Sequence, residues 1–329
     1  MSALPRPAVP LVSRQVTHPL RNMKRNDKYF SLTCLSCATL VGVLMLGVFG
    51  QLGWHSAEAW ERFGPAFLWS SEWDPSQDVY GALPNIAGTL LTTVLALLLA
   101  VPLAFAAALY LSEAPAWLSR PLSYGVDLLA AIPSVIYGMW GLFVLAPLMQ
   151  EYVQPPLAAL AACIPGGTAL LGTEYNGFGF LTGGVILALM VLPYMCAVMR
   201  DVFTMTPPVL REAAYGVGCT RWEVTRDVVT RYGIRGLLGA VFIGMGRALG
   251  ETMAVLFVIG NLVEMPAGLF SCGTTIAATL AAGFAESEGL QQSALFALGL
   301  ILLCMSFGIQ VLAQYYLHLT GAKRGEARE

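Results

Sequence analysis

Long apolar runs alternate with shorter polar segments along the whole chain. Six of these runs reach the length of about 20 residues that a helix needs to cross a bilayer. Since runs this long and this poor in charge are typical of transmembrane helices, the pattern predicts an all-α polytopic membrane protein with six spanning helices. The predicted spans cover residues 30–53, 83–111, 122–149, 180–199, 237–262 and 292–319.

The basic residues are concentrated in segments that would share one side of the membrane. Residues 1–29 contain six Lys or Arg, the segment 200–236 contains six, and residues 320–329 contain three. The segments 150–178 and 264–290 contain none. Because cytoplasmic segments of membrane proteins are rich in Lys and Arg, both chain ends and the segment 200–236 are predicted to be cytoplasmic.

Prolines interrupt several of the apolar runs. The second and third runs contain Pro102 and Pro133, and we expect tilted or kinked helices there because proline lacks an N–H donor. A further apolar stretch, 157–172, is broken by Pro165-Gly166-Gly167. Counting it as a span would move the basic segment 200–236 outside, so the pattern favours an outer-face or re-entrant element.

Composition agrees with this topology, because 57% of the residues are apolar and only 12% are charged. A soluble domain carries about 25% charged residues. We therefore expect a chain that is mostly embedded in the membrane. Its predicted parts are a disordered basic cytoplasmic segment (1–29), a first span (30–53), a periplasmic segment (54–82), a core of five spans (83–319) that includes the cytoplasmic loop 200–236, and a cytoplasmic tail (320–329).

Residues that usually carry enzyme or metal chemistry are few and scattered. The three histidines lie far apart, so no metal site or other cofactor is expected. Cys34 and Cys37 have the spacing of a redox or zinc motif, but they fall inside the first span, where small packing side chains are the favoured interpretation. A disulfide between Cys163 and Cys272 stays open. No G-x-x-x-x-G-K motif occurs, so this chain builds no ATP phosphate site, and no nucleic-acid partner is expected.

The cytoplasmic loop carries local signals for two short helices. Pro207-Pro208 suits a helix start, Glu212 lies in the first turns, and Gly218 suits a left-handed stop. Thr220-Arg221-Trp222-Glu223 has the pattern of a capping box and predicts a second helix through about Val229. The loop is therefore predicted to be a helix–turn–helix, and the alternative is a merely solvated loop.

The stretch Glu212-Ala213-Ala214-x-x-x-Gly218 resembles the EAA signature of ABC importer permeases. In such permeases this segment docks into the nucleotide-binding subunits, so the resemblance implies a separate ATP-binding subunit dimer. The family usually has a Leu-Pro pair where this chain has Thr230-Arg231, so a differently shaped turn into the fifth span is expected. The coupling residues that the resemblance implies are Glu212, Ala213, Ala214, Gly218, Thr220, Trp222 and Glu223.

A second stretch narrows the resemblance. Residues 246–255, Gly-Arg-Ala-Leu-Gly-Glu-Thr-Met-Ala-Val, followed by Gly260-Asn261, resemble the signature of phosphate ABC transporter permeases. Trp73-Asp74-Pro75 and the stretch 128–138 favour the PstC-type over the PstA-type subunit. The resemblance spans about residues 70–320. It implies a type I, MetI-like ABC importer permease fold, inorganic phosphate as substrate, a PstA-type second permease, a periplasmic phosphate-binding protein and a bacterial inner-membrane location.

Arg247 and Glu251 are four residues apart in the fifth predicted span, which predicts one shared helix face. Ionisable residues at membrane depth are costly, so they should face the protein interior or a wet path. We interpret them as substrate-pathway residues, with Arg247 binding phosphate oxygens. Glu251 would hold the arginine and accept a proton from hydrogen phosphate, which sulfate lacks. The alternative is an internal salt bridge. Asp127 either lies at the cytoplasmic interface or pairs across helices with an arginine such as Arg235.

The sequence therefore predicts a permease subunit that works by ATP-driven alternating access, not an enzyme. Three alternatives stay open: a PstA-type partner subunit, a permease for another oxyanion, and a secondary anion transporter. A secondary transporter would not need a capped cytoplasmic loop with EAA spacing.

Overall fold

The computed structural model describes residues 20–163, 165–172 and 175–325. Within these residues the regular structure is helical, with two isolated β-bridges in addition. Five helices are long and apolar enough to cross a membrane, and a sixth crossing results if one strongly bent pair counts as a span. The predicted all-α polytopic architecture is therefore confirmed, with five or six candidate spans. They are Asp27–His55, Leu83–Glu113, Phe180–Thr204, Arg221–Leu249 and Gly289–His318, and the bent pair Ala116–Ala130 with Ser134–Ala162.

The first helix, α1 (Leu20–His55), contains the predicted span 30–53. It begins at Leu20, so residues 20–29, which we expected to be disordered, are helical. Residues 1–19 of that expected disordered segment lie outside the described residues. The chain divides after Gln51 into two compact units, and the elements described below belong to the second.

The segment between α1 and the second span forms a small folded layer. It consists of α2 (Ala57–Phe63), a 3-10 helix (Gly64–Leu68) and a turn. Phe67 and Tyr80 are buried here in one cluster with residues of the last span such as Leu298. The predicted outer segment is thus packed against the membrane core.

The Trp73-Asp74-Pro75 stretch builds the turn of this layer. One Asp74 carboxylate oxygen accepts hydrogen bonds from the Ser76 hydroxyl at 2.6 Å and from the Ser76 backbone N–H at 2.9 Å. These bonds, the hydroxyl first, lower the pKa of the Asp74 carboxyl below its ordinary value. The Trp73 ring lies edge-on to Tyr80, with 5.0 Å between ring centroids. The stretch that favoured the PstC-type subunit therefore shapes this folded layer.

The second span is one helix, α3 (Leu83–Glu113), which includes the predicted range 83–111. It continues through Pro102. Alanines at every fourth position are buried along one of its faces, which lets a neighbouring helix approach closely. They are Ala96, Ala100, Ala104 and Ala108.

The third predicted span, 122–149, is broken. α4 (Ala116–Ala130) ends before Pro133, and the helical segment that follows is bent from it by 90°. Proline has no N–H and disfavours a helical conformation of the residue before it, which explains the position of the break. The following segment consists of α5 (Ser134–Trp140), α6 (Ala146–Leu148) and α7 (Gln154–Ala162), joined by π-helical turns at Gly141–Leu145 and Met149–Val153.

The stretch 157–172, predicted as an outer-face or re-entrant element, comprises the end of α7 and the short helix α8 (Gly167–Leu171). The backbone N–H groups of Leu269 and Phe270 donate to the carbonyls of residues 170 and 171 at 3.0 and 2.8 Å. The stretch is therefore joined to the segment that precedes the last span, and the two lie on the same side of the fold.

The helix α9 (Phe180–Thr204) contains the predicted span 180–199 and is the most deeply buried candidate span. A methyl group added to Gly184 would lie 2.7 Å from the Leu95 Cβ of α3. Near the other end, the Phe203 ring lies edge-on to Phe105 of α3 at 5.4 Å. The α3–α9 pair forms the centre of the main hydrophobic core.

The loop 200–236 and the fifth span differ from the prediction in two places. The second loop helix does not end near Val229, because the chain is helical without interruption from Arg221 to Leu249. The predicted fifth span, 237–262, is not continuous, because its helix ends at Leu249 and a new one begins at Met253. The elements are α10 (Pro208–Gly216), α11 (Arg221–Glu223), a π-helical turn (Val224–Val229), α12 (Thr230–Leu249) and α13 (Met253–Ile259).

Two helices complete the described chain, α14 (Ile276–Gly283) and α15 (Gly289–Gly325). α15 includes the predicted last span 292–319 and continues into the predicted tail, of which residues 326–329 lie outside the described part. The Gln310 side chain donates to the Phe242 carbonyl of α12 at 3.1 Å. A polar contact thus joins the last span to the fifth.

Candidate functional site

The first loop helix begins and ends where the sequence predicted. α10 starts at Pro208, and Gly218 adopts the left-handed conformation with φ of +90°. Glu212 and Ala213 are exposed, whereas Ala214 is half-buried and packs against the main core. The helix therefore turns one face to the membrane core and presents the Glu212 face outward.

The capping box at Thr220 is present. The Glu223 N–H donates to the Thr220 hydroxyl at 3.4 Å, and the Thr220 N–H donates to the Glu223 carboxylate at 2.7 Å. Two otherwise unpaired N–H groups at the helix start are thus satisfied by side chains. The contacts lie within four consecutive residues, which is why the sequence alone predicted them.

Apolar side chains are exposed on this polar loop. Trp222 is 67% exposed and Val217 is 81% exposed, and Val209 and Tyr215 are exposed as well. Clustered exposed apolar side chains rimmed by charge are typical of protein interaction sites. The loop has the composition of a surface that docks another protein.

Arg211 joins the loop to the membrane core, and the sequence interpretation missed it. Its Nη1 lies 2.8 Å from the Glu113 carboxylate at the end of α3, and its Nη2 donates to the Phe203 carbonyl of α9 at 2.8 Å. In the sequence Arg211 counted only as one of the basic loop residues. Its position next to Glu212, about 100° around the axis of α10, was the available signal.

A second ion pair connects helices near the same end of the fold. Arg200 of α9 lies 3.7 Å from the Asp127 carboxylate of α4. Asp127 therefore pairs across helices, as one of the two interpretations proposed, and the arginine that it contacts is Arg200.

Arg247 and Glu251 do not share a helix face. Arg247 lies in the last turn of α12, and Glu251 follows in the break. Among the described residues no ion pair joins them: the Arg247 guanidinium lies over the Tyr194 ring, 5.6 Å from its centroid. The Glu251 carboxylate accepts a hydrogen bond from the Ala254 N–H at 3.2 Å. The predicted mutual contact is wrong, because the helix ends between the two residues.

The two side chains also differ in their exposure. Arg247 is exposed and Glu251 is half-buried in this single chain. An arginine in the middle of a membrane protein needs polar surroundings. Its exposed position therefore indicates a wet path or a partner chain on this side. Glu251 instead satisfies the first turn of α13, which begins inside the fold.

Close packing against α5 accompanies the break. A methyl group on Gly138 of α5 would lie 2.8 Å from the Met253 carbonyl and 3.1 Å from the Ala254 Cα. Tyr137, beside this glycine, donates to the Leu129 carbonyl at 2.9 Å and so satisfies the end of α4. The two broken spans therefore meet where each has an interrupted helix.

Two threonine hydroxyls of the second span bond back to their own helix. Thr89 and Thr92 donate to carbonyls four residues earlier in their own helix, at 2.7 and 2.8 Å. Thr89 also accepts from the Ile276 N–H at 2.9 Å, a contact with α14 that the sequence did not predict. The hydroxyl thus serves packing between helices.

The open question of a disulfide is answered. Cys163 and Cys272 are both free. The Cys272 sulfur instead accepts a hydrogen bond from the Asn176 side chain at 3.2 Å.

The family model for "binding-protein-dependent transport system inner membrane component" matches residues 100–318 of the chain. The chain belongs to this family. The matched residues include both the loop 200–236 and the break in the fifth span. The chain is therefore a multi-pass permease subunit of an inner-membrane ABC transporter and not an enzyme.

Relatives with similar sequences cover nearly the whole chain. The phosphate transport system permease protein PstC of Haemophilus influenzae is 46% identical over 289 residues, which are 88% of this chain and 92% of the relative. The protein of the same name from Mesorhizobium japonicum is 46% identical over 320 residues, which are 97% of this chain and 98% of the relative.

Two solved structures are also similar. The inward-facing MetNI methionine ABC transporter has 16% identity and a TM-score of 0.47, covering 73% of this chain and 94% of that chain. An amino acid ABC transporter has 18% identity and a TM-score of 0.48, covering 71% and 91%. The family assignment does not depend on this structural similarity.

Proposed function

We propose that this chain is the PstC-type permease subunit of an ATP-driven phosphate importer. The observation that carries the proposal is the 46% identity over 97% of the chain to a permease named for phosphate transport. This near-complete match favours phosphate over another oxyanion and the PstC-type over the PstA-type role. Family membership also excludes a secondary anion transporter.

The importer needs partners that this chain does not supply. The chain has no ATP phosphate-binding motif, so a dimer of ATP-binding subunits supplies the energy. It carries one docking loop, so a second, PstA-type permease carries the other. A periplasmic phosphate-binding protein delivers the anion at the outer face. The basic loop and both chain ends lie in the cytoplasm, where positive segments are retained.

Uptake by the reconstituted complex tests this function. Vesicles that contain both permeases and the ATP-binding subunits, supplied with binding protein, should accumulate phosphate only when ATP is present. A tenfold excess of sulfate should leave phosphate uptake unchanged. Equal competition by sulfate would contradict the phosphate proposal and favour a broader oxyanion permease.

The loop couples ATP hydrolysis to transport through its outward face. Glu212 is exposed and forms no ion pair among the described side chains, so it is available to a partner. Glu212→Lys should abolish phosphate-stimulated ATPase activity while membrane insertion stays normal. Retained stimulation would remove the assigned role of the loop.

Arg247 forms part of the anion path. Its exposed guanidinium, supported by the Tyr194 ring, fits a path that is completed by the second permease. Arg247→Gln removes the charge and should abolish uptake, and Arg247→Lys should restore only a small part because the planar fork of donors is lost. Wild-type uptake by the glutamine variant would contradict this role.

The role of Glu251 in selectivity can be separated from its role in capping. Glutamine keeps an oxygen that can accept from the Ala254 N–H, so Glu251→Gln removes the charge without removing the cap. If the carboxylate takes a proton from hydrogen phosphate, this variant should lose discrimination against sulfate. Glu251→Ala, which removes cap and charge together, is the control for structural damage. Unchanged discrimination in Glu251→Gln would remove the hypothesis.

A further inference from the structure

We propose that Arg211 is a positioning residue that ties α10 to the ends of α3 and α9, so that movement of the docking helix reaches the central helix pair. The inference rests on the proposed coupling function of the loop. It adds the physical connection through which that function acts.

One guanidinium contacts two spans. Nη1 lies 2.8 Å from the Glu113 carboxylate in the last residue of α3, and Nη2 donates to the Phe203 carbonyl near the end of α9 at 2.8 Å. The Arg211 side chain is 22% exposed and that of Glu113 is 41% exposed. Because the guanidinium is planar and its donors have fixed directions, both contacts constrain the orientation of α10.

The remainder of α10 is held weakly. The helix has no fully buried residue, and Val209, Leu210 and Tyr215 are exposed. Ala214 is half-buried, but its single methyl group offers little contact area. Among the described residues of α10, Arg211 is therefore the one whose side chain donates hydrogen bonds to the spans.

The contacts of Arg211 reach α3 and α9 at a closely packed part of the core. Phe203 is fully buried, and its ring lies edge-on to Phe105 of α3 at 5.4 Å. α3 and α9 are thus packed together at the level where Arg211 contacts both. A displacement of α10 pulls on the pair as a unit, because close-packed interiors transmit strain.

A purely structural contact would have different consequences. If Arg211 only stabilised the fold, its loss would lower the amount of complex, and phosphate uptake per ATP hydrolysed would stay constant in the molecules that remain. If Arg211 transmits movement, the complex forms and hydrolyses ATP, but uptake per ATP falls.

The test uses the full transporter complex in vesicles and measures uptake per ATP hydrolysed and the amount of bound ATP-binding subunit. Arg211→Gln and Glu113→Gln should each lower uptake per ATP about tenfold, the size expected when one charge-assisted hydrogen bond is lost. The double variant should be no worse than Arg211→Gln alone, since both changes break one connection. Arg211→Lys should recover part of the loss.

Arg120→Gln is the matched control. Arg120 is an exposed arginine on α4, on the side of the membrane predicted to be cytoplasmic, and should retain wild-type uptake per ATP. If Arg211→Gln prevents assembly, Glu113→Gln decides, because Glu113 belongs to α3 and not to the docking helix.

Normal uptake per ATP in Glu113→Gln, or additive losses in the double variant, would overturn the inference. Loss of coupling in Glu212→Lys together with normal Arg211→Gln would overturn only this inference. Normal coupling in Glu212→Lys would remove the proposed function of the loop itself.

Discussion

The loop 200–236 and the break in the fifth span obtain their conformations in different ways. The loop is shaped by neighbours in the sequence: Pro208 starts its first helix, Gly218 ends it, and Thr220 caps the next. The break lies where Gly138, from a distant span, packs against the start of α13. The sequence patterns within the loop therefore predicted its turn and its cap, whereas the long apolar run around the break predicted one continuous span.

The charged residues of both regions make contacts that differ from those that the sequence predicted. In the loop Arg211 looked like an ordinary basic residue, yet it contacts two spans. At the break, the spacing of Arg247 and Glu251 predicted a mutual contact, yet the Arg247 guanidinium lies over the Tyr194 ring and the Glu251 carboxylate caps α13. Sequence spacing shows which residues share a helix only where the helix is continuous.

The largest effect should come from placing a large side chain at Gly138, where α5 packs closely against the start of α13. Gly138→Leu places atoms where the Met253 carbonyl and the Ala254 backbone now lie, and overpacking of this kind costs about 3 kcal/mol. We expect a strong loss of thermal stability of the purified complex and of phosphate uptake. Gly125→Leu on α4 is the control, because nothing lies within 4 Å of an added Cβ there. Equal stability of the two variants would show that the contact with α5 does not hold the break.

Removing the aromatic platform under Arg247 should have a smaller effect. A cation over an aromatic ring contributes about 1 kcal/mol at an exposed site, so Tyr194→Leu should lower phosphate uptake about fivefold. Tyr194→Phe keeps the ring face and should stay close to the wild type. A loss of the same size in Tyr194→Phe would mean that the hydroxyl, and not the ring, is the important group.

Two glycines in the loop test whether the turn after α10 requires a residue in the left-handed conformation. Gly218 has φ of +90°, and a side chain there costs about 1 kcal/mol, so Gly218→Ala should lower phosphate-stimulated ATPase activity several-fold. Gly216 is helical with open space around it, and alanine favours helix there. Gly216→Ala should therefore leave the stimulation intact. Equal behaviour of the two alanine variants would argue against a required left-handed turn.

The smallest effect should come from the capping box. Thr220→Ala removes the hydroxyl that accepts from the Glu223 N–H, at a cost of about 1 kcal/mol confined to the first turn. Faster hydrogen exchange of the backbone amides at residues 221–223 should report this loss. Thr220→Ser keeps the hydroxyl and should exchange like the wild type. Unchanged exchange in Thr220→Ala would show that the following helix holds this turn without its cap.

The sequence by itself determined the membrane-embedded helical class, the candidate spans apart from their breaks, and the folded loop with its turn and cap. The length of an apolar run, the distribution of Lys and Arg among the segments and the patterns of helix caps are properties of consecutive residues. They can therefore be recognised in the sequence without knowledge of the fold. The resemblance to phosphate permeases came from consecutive residues as well.

Only the tertiary structure decided that the fifth span is interrupted and which charges meet. Gly250, Glu251 and Thr252 occupy the break between α12 and α13, but the long apolar stretches on both sides of them predicted one continuous span. Arg200 with Asp127 and Arg211 with Glu113 join residues far apart in the chain. Such contacts depend on which helices pack together. A single stretch of sequence does not contain this information, because each packing contact involves two helices that are far apart in the chain.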